Sequence, residues 1–433
     1  MHDLPGPLHL FLPCAAGVES LLGEEVQSLL PHSPVRSQRG GVALQGAAGD
    51  MMALNLGSRL AQRVLIQVAH GPYRDETDLY RLALGIDWAA WITPRHTLRV
   101  DTTAHRCPLK SLNFAALRIK DAVCDRLRDA TGERPNVDTS RPDLPLLLHL
   151  DEQRATLYVD SSGVALFKRG WREDTGDAPL KETLAAAMLA AAGWRGSAQA
   201  GGALHDPCCG SGTIAIEAAQ IACGMAPGLK RRFAFQQQLP FCTPALQAHW
   251  QRCQSLAQAA FHASAVPIFA SDVSFRMVDF ARRNARRAGV EEAIVFNGGD
   301  ALERAAPRLA PDMPGTLMLN PPYGERIEAL GKAGTSARAA PPTSTLPRAD
   351  DNRSAPSDFF ARLASHWKRA YTAHPAGWTA YVLSPDMKLP GVMRLKESRR
   401  VPLWNGPIEC RLFRFDLLAG SARTVRGPAS VQP

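Results

Sequence analysis

Asp206-Pro-Cys-Cys-Gly-Ser-Gly-Thr213 is the stretch that decides the fold of this chain. An apolar run, Ala203–Asp206, leads into it, and a run of helix-forming residues, Thr213–Cys223, follows. Glycines between a strand and a helix let the backbone take positive φ values and approach a ligand closely. The stretch therefore predicts a nucleotide-binding turn at the carboxyl end of a strand.

Short apolar strands and helices alternate around this turn, from about residue 179 onward. Alternation of this kind predicts a doubly wound α/β domain with a mostly parallel sheet. The predicted strands are Ala203–Asp206, Pro267–Asp272, Ala293–Asn297, Thr316–Asn320 and Trp378–Leu383, and the predicted helices are Thr183–Ala192, Thr213–Cys223 and Phe275–Ala288.

The turn differs from the common phosphate-binding loops. No Lys follows it directly, which excludes a Walker A loop. No Asp or Glu occurs between Glu217 and Asp272, so the acid that a dinucleotide enzyme places about twenty residues later is missing. Asp206 ends the first strand, where its carboxylate would repel a pyrophosphate but could receive the ammonium group of an amino acid.

Acids also follow the next two predicted strands. Asp272 could bind ribose hydroxyls, and Asp300 could accept from an adenine amino group. Because the carboxyl ends of parallel strands meet at one edge, the three acids are expected in one pocket. The alternative is that each aspartate only caps the segment that follows it. Together the acids and the turn favour S-adenosylmethionine (SAM), and the residues predicted to bind it are Asp206, Cys208, Gly210, Ser211, Gly212, Thr213, Asp272, Val273, Asp300 and Ala301.

A tetrad, Asn320-Pro321-Pro322-Tyr323, follows the fourth predicted strand. The Asn320 side-chain oxygen and the Pro321 carbonyl oxygen could each accept one N–H of a ring amine, so that its lone pair faces the methyl donor. Tyr323 would stack on the base, which must leave its helix to reach the site. The alternative is a simple tight turn, since Asn-Pro and Pro-Pro favour turns. The tetrad and the glycine turn together predict methyl transfer from SAM to a nitrogen, with Asn320, Pro321, Pro322 and Tyr323 as the catalytic residues.

The first 170 residues follow a different pattern, typical of an α+β module. A basic segment, Lys168–Arg172, ends this part of the chain, and such a module with basic edges could hold RNA. Its predicted elements are the strands Leu8–Leu12, Gly41–Leu44, Leu98–Thr102, Leu146–Leu150 and Ala155–Val159, the helices Val18–Leu30 and Phe114–Leu127, and a helix running into a strand over residues 51–70, with Arg59 and Arg63 on the helix.

Composition narrows the class of protein. A length of 433 residues predicts two or three domains, and a net charge of +9 favours a polyanionic partner such as nucleic acid. The nine cysteines show neither metal-ligand spacing nor a disulfide pattern, so no metal site is expected. Cysteines without a disulfide pattern fit a reducing compartment, and the expected location is the cytoplasm. The longest apolar helix, Leu184–Ala192, is too short to span a bilayer, so no membrane association is expected.

Both motifs resemble those of the class I SAM-dependent amino methyltransferases. The N-terminal part looks like the THUMP RNA-binding module, and the chain as a whole is similar to the RlmL-type 23S ribosomal RNA guanine-N2 methyltransferases, in the form without a fused second methyltransferase. The matching segments are Asp206–Ala219 and Asn320–Arg326 for the methyltransferase, Phe114–Ala122, Asp160–Gly163 and Phe167–Arg172 for the THUMP module, Ala178–Ala187 for the helix entering the methyltransferase domain, and Leu403–Cys410 for the C-terminal hairpin.

This resemblance implies a Rossmann-like class I methyltransferase domain with a C-terminal antiparallel hairpin, preceded by an α+β ferredoxin-like and THUMP region. The expected division is a ferredoxin-like part at 1–50, a THUMP-like RNA-binding domain at 51–170, a methyltransferase domain at 171–420 with a flexible insertion at 331–357, and a disordered tail at 421–433.

The resemblance also implies an activity and a partner. The expected enzyme is a monomer that methylates the N2 of a guanine in domain V of 23S rRNA, near the peptidyl-transferase centre, on the rRNA or a large-subunit precursor. The basic side chains expected to contact phosphates are Arg118, Lys120, Lys168, Arg169 and Arg172. They would position the RNA without specifying its sequence. The alternative is that each of them is a solvated surface charge.

Three other activities remain open at this point. A tRNA guanine-N2 methyltransferase would carry the same tetrad on a THUMP protein. A DNA amino methyltransferase would need a base-reading region in place of the RNA-type module. A non-catalytic RNA-binding factor of ribosome assembly would have no need of the strand-end acids and Asn320.

Overall fold

The computed structural model describes residues 7–176, 179–321 and 356–418. Within these ranges the strands form an eight-stranded sheet in the N-terminal part and a seven-stranded sheet in the C-terminal part. The strands of the first sheet are β1 Leu8–Pro13, β2 Val35–Gln38, β3 Gly41–Gly46, β4 Leu65–Pro72, β5 Thr97–Ala104, β6 Asn136–Val137, β7 Leu144–Leu150 and β8 Arg154–Asp160.

The first sheet runs in the order β2-β3-β1-β4-β8-β7-β5-β6. Strand β4 joins its two halves, because β4 pairs antiparallel with both β1 and β8. Alternate β1 side chains such as Leu10 and Leu12 are buried with Leu22 of the first helix, since successive strand side chains point to opposite faces. The helices of this part are α1 Glu19–Leu29, α2 Ala48–Gly57, α3 Glu76–Leu84 and α4 Leu112–Thr131.

The second sheet has the order β11-β10-β9-β12-β13-β15-β14. Strands β9 to β13 are parallel, while β15 pairs antiparallel with both β13 and β14. The doubly wound, mostly parallel sheet with a C-terminal antiparallel hairpin is thereby confirmed. Its strands are β9 Ala203–Asp206, β10 Ile268–Asp272, β11 Ile294–Gly298, β12 Gly315–Leu319, β13 Trp378–Ser384, β14 Arg399–Asn405 and β15 Ile408–Leu417.

The strand order of the second sheet indicates where a ligand would bind. The chain enters in the middle at β9, builds outward to β11, and then returns to the other side of β9 at β12. Ligands of open α/β sheets bind where the strand order reverses in this way. The accompanying helices are α5 Glu182–Ala191, α6 Thr213–Ala222, α7 Pro244–Ala259, α8 Phe275–Ala288, α9 Pro356–Ala370 and α10 Leu389–Met393.

Several elements differ from the sequence prediction. Arg59 and Arg63 lie in the segment between α2 and β4 and not on a helix, because α2 already ends at Gly57. Helices α3, α7, α9 and α10 and strands β2 and β6 were missed; in α7, Trp250 is the only buried side chain, so its apolar periodicity is faint. The predicted insertion at 331–357 lies almost wholly outside the described residues, and the predicted tail at 421–433 lies outside them.

Candidate cofactor and amine site

Three aspartates and Asn320 lie at the carboxyl edge of the second sheet. Asp206 is the last residue of β9 and Asp272 the last residue of β10, and these two strands pair in parallel. Asp300 follows β11 by two residues, and Asn320 follows β12 directly. Because β11, β10, β9 and β12 are adjacent in the sheet, these polar residues share one edge at the point where the strand order reverses.

The two glycines of the turn have different roles. Gly210 has a φ of +52°, and a Cβ built on it would meet nothing within 4 Å, so the backbone there faces open space. Gly212 has a φ of +89°, and its Cβ would lie 2.9 Å from the Cβ of Ala281 in α8. Gly212 therefore permits close packing of α6 on α8, whereas Gly210 leaves room for a ligand against the backbone.

Each of the three aspartates accepts a hydrogen bond from the backbone amide two residues further on. Stabilisation of local turns, the alternative to ligand binding, is therefore part of their role. One oxygen of Asp206 and one of Asp300 accept no hydrogen bond from the described residues, which leaves them available to a ligand. The donors are Cys208 N to Asp206 at 3.2 Å, Ser274 N to Asp272 at 2.9 Å, and Leu302 N to Asp300 at 2.9 Å.

The electrostatics of this edge favour a cation. Asp206 is 1% exposed, and burial raises the pKa of its carboxyl well above the usual range, with a further contribution from the charge of Asp272. Burial raises the pKa of Asp272 as well. Two neighbouring carboxyl groups that resist ionisation are both stabilised in their charged form by a positive ligand. The ammonium and sulfonium groups of SAM fit this requirement.

An Asp206→Asn variant separates stability from binding. Burial raises the pKa of Asp206 in the folded chain above its value in the unfolded chain. As the pH rises, the unfolded chain therefore loses this proton before the folded chain does, and the free energy of unfolding falls until the pH reaches the folded-state pKa. Asparagine does not titrate and can still accept from Cys208 N. We therefore expect the variant to unfold at a higher temperature than the parent at pH 7 without ligand, yet to bind SAM more weakly. Thermal unfolding with and without SAM measures both effects, and a less stable variant with unchanged binding would contradict this account of Asp206.

The environment of the adjacent cysteines Cys208 and Cys209 disfavours their thiolate forms. Burial raises the pKa of both thiols well above the usual range, and the charges of Asp206 and Asp272 raise it further. A protonated thiol is a poor nucleophile. Their backbones matter instead, since Cys209 N donates to Ser271 O at 2.9 Å and anchors the turn to β10.

The remaining candidates for cofactor binding differ in exposure. Val273, directly after Asp272 in the turn between β10 and α8, is 39% exposed and offers an apolar surface. Ala301 is 8% exposed and packs in an apolar cluster with Leu317 and Leu319 of β12, which leaves little of it for a ligand. Ser211 and Thr213 are buried, and Arg172 donates to both hydroxyls.

The amine tetrad is described only in part. Asn320 is half-buried and Pro321 is buried at the end of β12, while Pro322 and Tyr323 lie outside the described residues. His205 precedes Asp206 and is 1% exposed, and burial lowers its pKa to about 3. Its ring nitrogens lie 3.1 Å from Tyr371 Oη and 3.2 Å from Ser271 Oγ, as expected of a packing residue and not of a general base.

The predicted RNA contacts fall into two groups. Lys168 is exposed, and Arg118 and Lys120 are 30% and 31% exposed, with Arg118 placed 4.6 Å from the centre of the Tyr80 ring. Arg169 and Arg172 are buried or nearly so, and both are paired with carboxylates inside the protein. The RNA contact predicted for these two arginines therefore needs correction, because their guanidinium groups bind neighbouring segments of the chain.

Arg169 ties the first part of the chain to α6. It is 2% exposed, its Nε donates to Glu217 Oε1 at 3.0 Å, and its other nitrogens donate to Leu166 O at 2.8 Å and Arg59 O at 2.7 Å. Arg59 adds a second ion pair to Glu217 at 3.5 Å. A single buried carboxylate thus holds one arginine from each of two separate segments.

We expect Arg169→Ala to lower the free energy of unfolding by about 3 kcal/mol, because it leaves Glu217 buried with only the longer ion pair to Arg59. Urea denaturation followed by circular dichroism measures this change. Arg232→Ala is the matched control, since Arg232 is exposed. Equal stability of the two variants would show that the Arg169 ion pair contributes little.

Among the residues that the structure describes, no helix is long and apolar enough to cross a membrane. In the same ranges, no group of three or more His, Cys, Asp or Glu side chains is arranged to hold a metal ion.

Comparison with known families agrees with this geometry. The RlmL ferredoxin-like domain matches residues 9–65, the THUMP domain matches residues 73–160, and the RMKL-like methyltransferase domain matches residues 169–335. The last match contains the glycine turn, the strand-end acids and the tetrad.

Curated relatives extend the similarity to nearly the whole chain. A protein of Syntrophotalea carbinolica named ribosomal RNA large subunit methyltransferase K/L is 34% identical over 415 residues, which cover 96% of this chain and 54% of the relative. A protein of the same name from Stutzerimonas stutzeri is 35% identical over 429 residues, 98% of this chain and 55% of the relative. The chain thus spans about half the length of the curated relatives it matches.

Solved structures share the whole fold. A candidate methyltransferase in complex with SAH is 25% identical with a TM-score of 0.78, and the match covers 95% of this chain and 98% of that one. A protein described as a possible methylase from Clostridium difficile 630 is 25% identical with a TM-score of 0.77, covering 96% of this chain and all of that one. The chain therefore combines an RlmL-type ferredoxin-like domain, a THUMP domain and an RMKL-like methyltransferase domain.

Proposed function

We propose that this chain binds SAM and transfers its methyl group to the exocyclic N2 of a guanine in 23S ribosomal RNA. The observation that carries the proposal is the shared sheet edge, where the acids expected for SAM lie beside the strand that Asn320 directly follows. The matching family is a methyltransferase family, and a related structure was solved with SAH, the demethylated form of SAM.

The cofactor is proposed to lie along the edge from β9 to β11. The available oxygen of Asp206 would receive its ammonium group, and Asp272 would accept from the ribose hydroxyls. Asp300 would accept from the adenine amino group, and the apolar surface of Val273 would pack on the adenine ring. SAM supplies a methyl group already activated by the positive charge on sulfur.

The amine is proposed to be held from the neighbouring strand. Asn320 Oδ1 and the Pro321 carbonyl oxygen would each accept one N–H of the guanine amino group. With both hydrogens held, the nitrogen lone pair faces the methyl carbon, and the reaction gains its rate from positioning. Tyr323, outside the described residues, would stack on the base as the sequence predicts.

Two observations favour RNA as the substrate. A THUMP domain precedes the methyltransferase domain, and the chain carries a net charge of +9. Lys168 is exposed and could contact phosphates, whereas Arg118 and Lys120 are about one-third exposed and would have to share their charge with Asp121, which lies 3.9 Å and 2.7 Å from them. Ribosomal RNA is favoured over tRNA because the curated relatives are named large-subunit rRNA methyltransferases. Action on rRNA would place the protein in the cytoplasm.

Transfer of tritiated methyl groups from SAM tests the choice of substrate. The acceptors are protein-free 23S rRNA, assembled large subunits and bulk tRNA, each taken from cells that lack this gene, so that the target is unmodified. We expect label in 23S rRNA or large subunits and none in tRNA. Label confined to tRNA would move the enzyme to the tRNA branch of the fold, and label in no RNA despite SAM binding would overturn the proposal.

A further inference from the structure

Residues 171–174, which follow the THUMP domain and lie at the start of the methyltransferase domain, contact the glycine turn; we refer to them as the linker segment. Its Arg172 side chain is 13% exposed. Arg172 Nη1 donates to Ser211 Oγ at 3.0 Å, and Nη2 donates to Thr213 Oγ1 at 2.8 Å. One guanidinium group from outside the sheet thus holds two successive hydroxyls of the cofactor turn.

The other side of the same guanidinium group is fixed by the start of α5. Arg172 Nε donates to Glu182 Oε1 at 2.9 Å, and Nη2 donates to Leu180 O at 3.1 Å. Glu182 is almost fully buried, and the nearby Arg172 counters the effect of burial on its pKa. A planar guanidinium held on both edges has a fixed orientation, which a flexible ammonium would lack.

A second side chain holds the turn from α8. Asn284 is fully buried, and its Nδ2 donates to Ser211 O at 3.0 Å and to Asp174 O at 2.8 Å. Ser211 lies between two glycines of positive φ, Gly210 and Gly212, where the backbone has the most conformational freedom. Its hydroxyl and its carbonyl are therefore both restrained by groups that also contact, or belong to, the linker segment.

We infer that Arg172 is a positioning residue for the cofactor, and that the linker segment forms part of the scaffold of the SAM site. The inference rests on the proposed function for the identity of the ligand. A turn flanked by flexible glycines would otherwise have to be ordered when SAM binds, and this ordering would cost affinity. Arg172 maintains the ordered turn before the cofactor arrives.

The test removes the Arg172 contacts without leaving a buried charge. Arg172→Ala alone would leave Glu182 unpaired and could unfold the protein, so the test variant combines Arg172→Met with Glu182→Leu, since apolar replacement of a buried ion pair is often tolerated. Arg231→Met is the matched control, because Arg231 donates to the carbonyls of Ala165 and Lys168, both at 2.9 Å, and makes no hydrogen bond to the cofactor turn.

Two readouts are compared in the 433-residue chain. Hydrogen–deuterium exchange of peptides covering residues 206–213, without cofactor, is expected to rise in the double variant and to stay at the parental level in Arg231→Met. Titration calorimetry with SAM is expected to show a Kd raised about tenfold or more in the double variant alone. Arg172→Lys keeps the positive charge but not the planar guanidinium group with its several donors. Its exchange rate and its Kd for SAM are therefore expected to lie between those of the parent and of the double variant.

The outcomes separate the two claims. Parental exchange and parental SAM affinity in the folded double variant would overturn the positioning role while leaving the proposed function intact. Faster exchange of the turn in the double variant, together with no SAM binding by the parent, would support the restraint of the turn but refute SAM as its ligand. A similar loss of SAM affinity in Arg231→Met would show that the loss in the double variant comes from general destabilisation, and it would overturn the inference.

Discussion

Asn320→Ala is expected to lower the rate of methyl transfer by about 10²- to 10³-fold while SAM binding stays within error of the parent. Asn320 directly follows β12, next to the strand that ends in Asp206, which is where the proposed amine site lies. In the proposed mechanism alanine removes an acceptor for the guanine N–H, and the amine then rotates freely near the methyl group. Single-turnover methyl transfer and calorimetry with SAM measure the two effects separately.

The matched variant for this experiment is Asn320→Asp. Aspartate keeps the shape of the side chain and an acceptor oxygen, so it is expected to retain more activity than alanine. Full activity of Asn320→Ala would refute the amine clamp. Loss of SAM binding in that variant would instead move Asn320 from the amine side to the cofactor side of the site.

Asp272→Ala is expected to weaken SAM binding by about 10²-fold, because it removes charge-assisted hydrogen bonds to the ribose and the support of the turn. Asp272 Oδ2 accepts from Gly210 N at 2.9 Å, so the carboxylate that is proposed to bind the ribose also restrains the turn. The effect should appear in the Kd of SAM and in KM, with a smaller change in kcat at saturating SAM.

Asp279→Ala is the control for this prediction. Asp279 lies on α8 with a side chain that is 62% exposed and paired with Arg283, so its loss removes an aspartate of the same domain from outside the pocket. Calorimetry with SAM on both variants gives the comparison. If the two variants bound SAM equally well, Asp272 would have no more than a role in the local turn.

The cofactor edge could be predicted from the sequence because its signals are local. The glycine turn, the strand before it and the helix after it lie within about twenty residues, and Asp272 ends an apolar strand that is recognisable on its own. Parallel pairing then brings these strand ends together without further information.

The buried arginines could not be predicted in the same way. The composition of residues Lys168–Arg172 is typical of a basic surface segment. The partners of its two buried arginines are distant in sequence, since Glu217 lies 48 residues after Arg169 and Ser211 lies 39 residues after Arg172. Asn284 was missed for the same reason, since a single Asn in an arginine-rich helix gives no sign that it is buried against a turn. Only the packing of α6 and α8 reveals these contacts.

The continuity of the first sheet could not be predicted from local sequence patterns either. Strand β4 pairs with β8, and the paired residues lie more than 80 positions apart in the chain, so no spacing rule connects them. The expected division, which rests on the resemblance, has a boundary at residue 50, whereas the sheet continues across it through β4. Non-local pairing of this kind is visible only in the folded protein.

The most direct test of the central claim is the chemical identity of the methylated nucleoside. Unmodified 23S rRNA or large subunits would be incubated with the protein and labelled SAM, digested to nucleosides, and analysed by liquid chromatography with mass spectrometry. The account predicts label in N2-methylguanosine with the parent protein and its loss with Asn320→Ala. Label in N6-methyladenosine or in a ring-methylated base would contradict the assignment of guanine N2 as the acceptor.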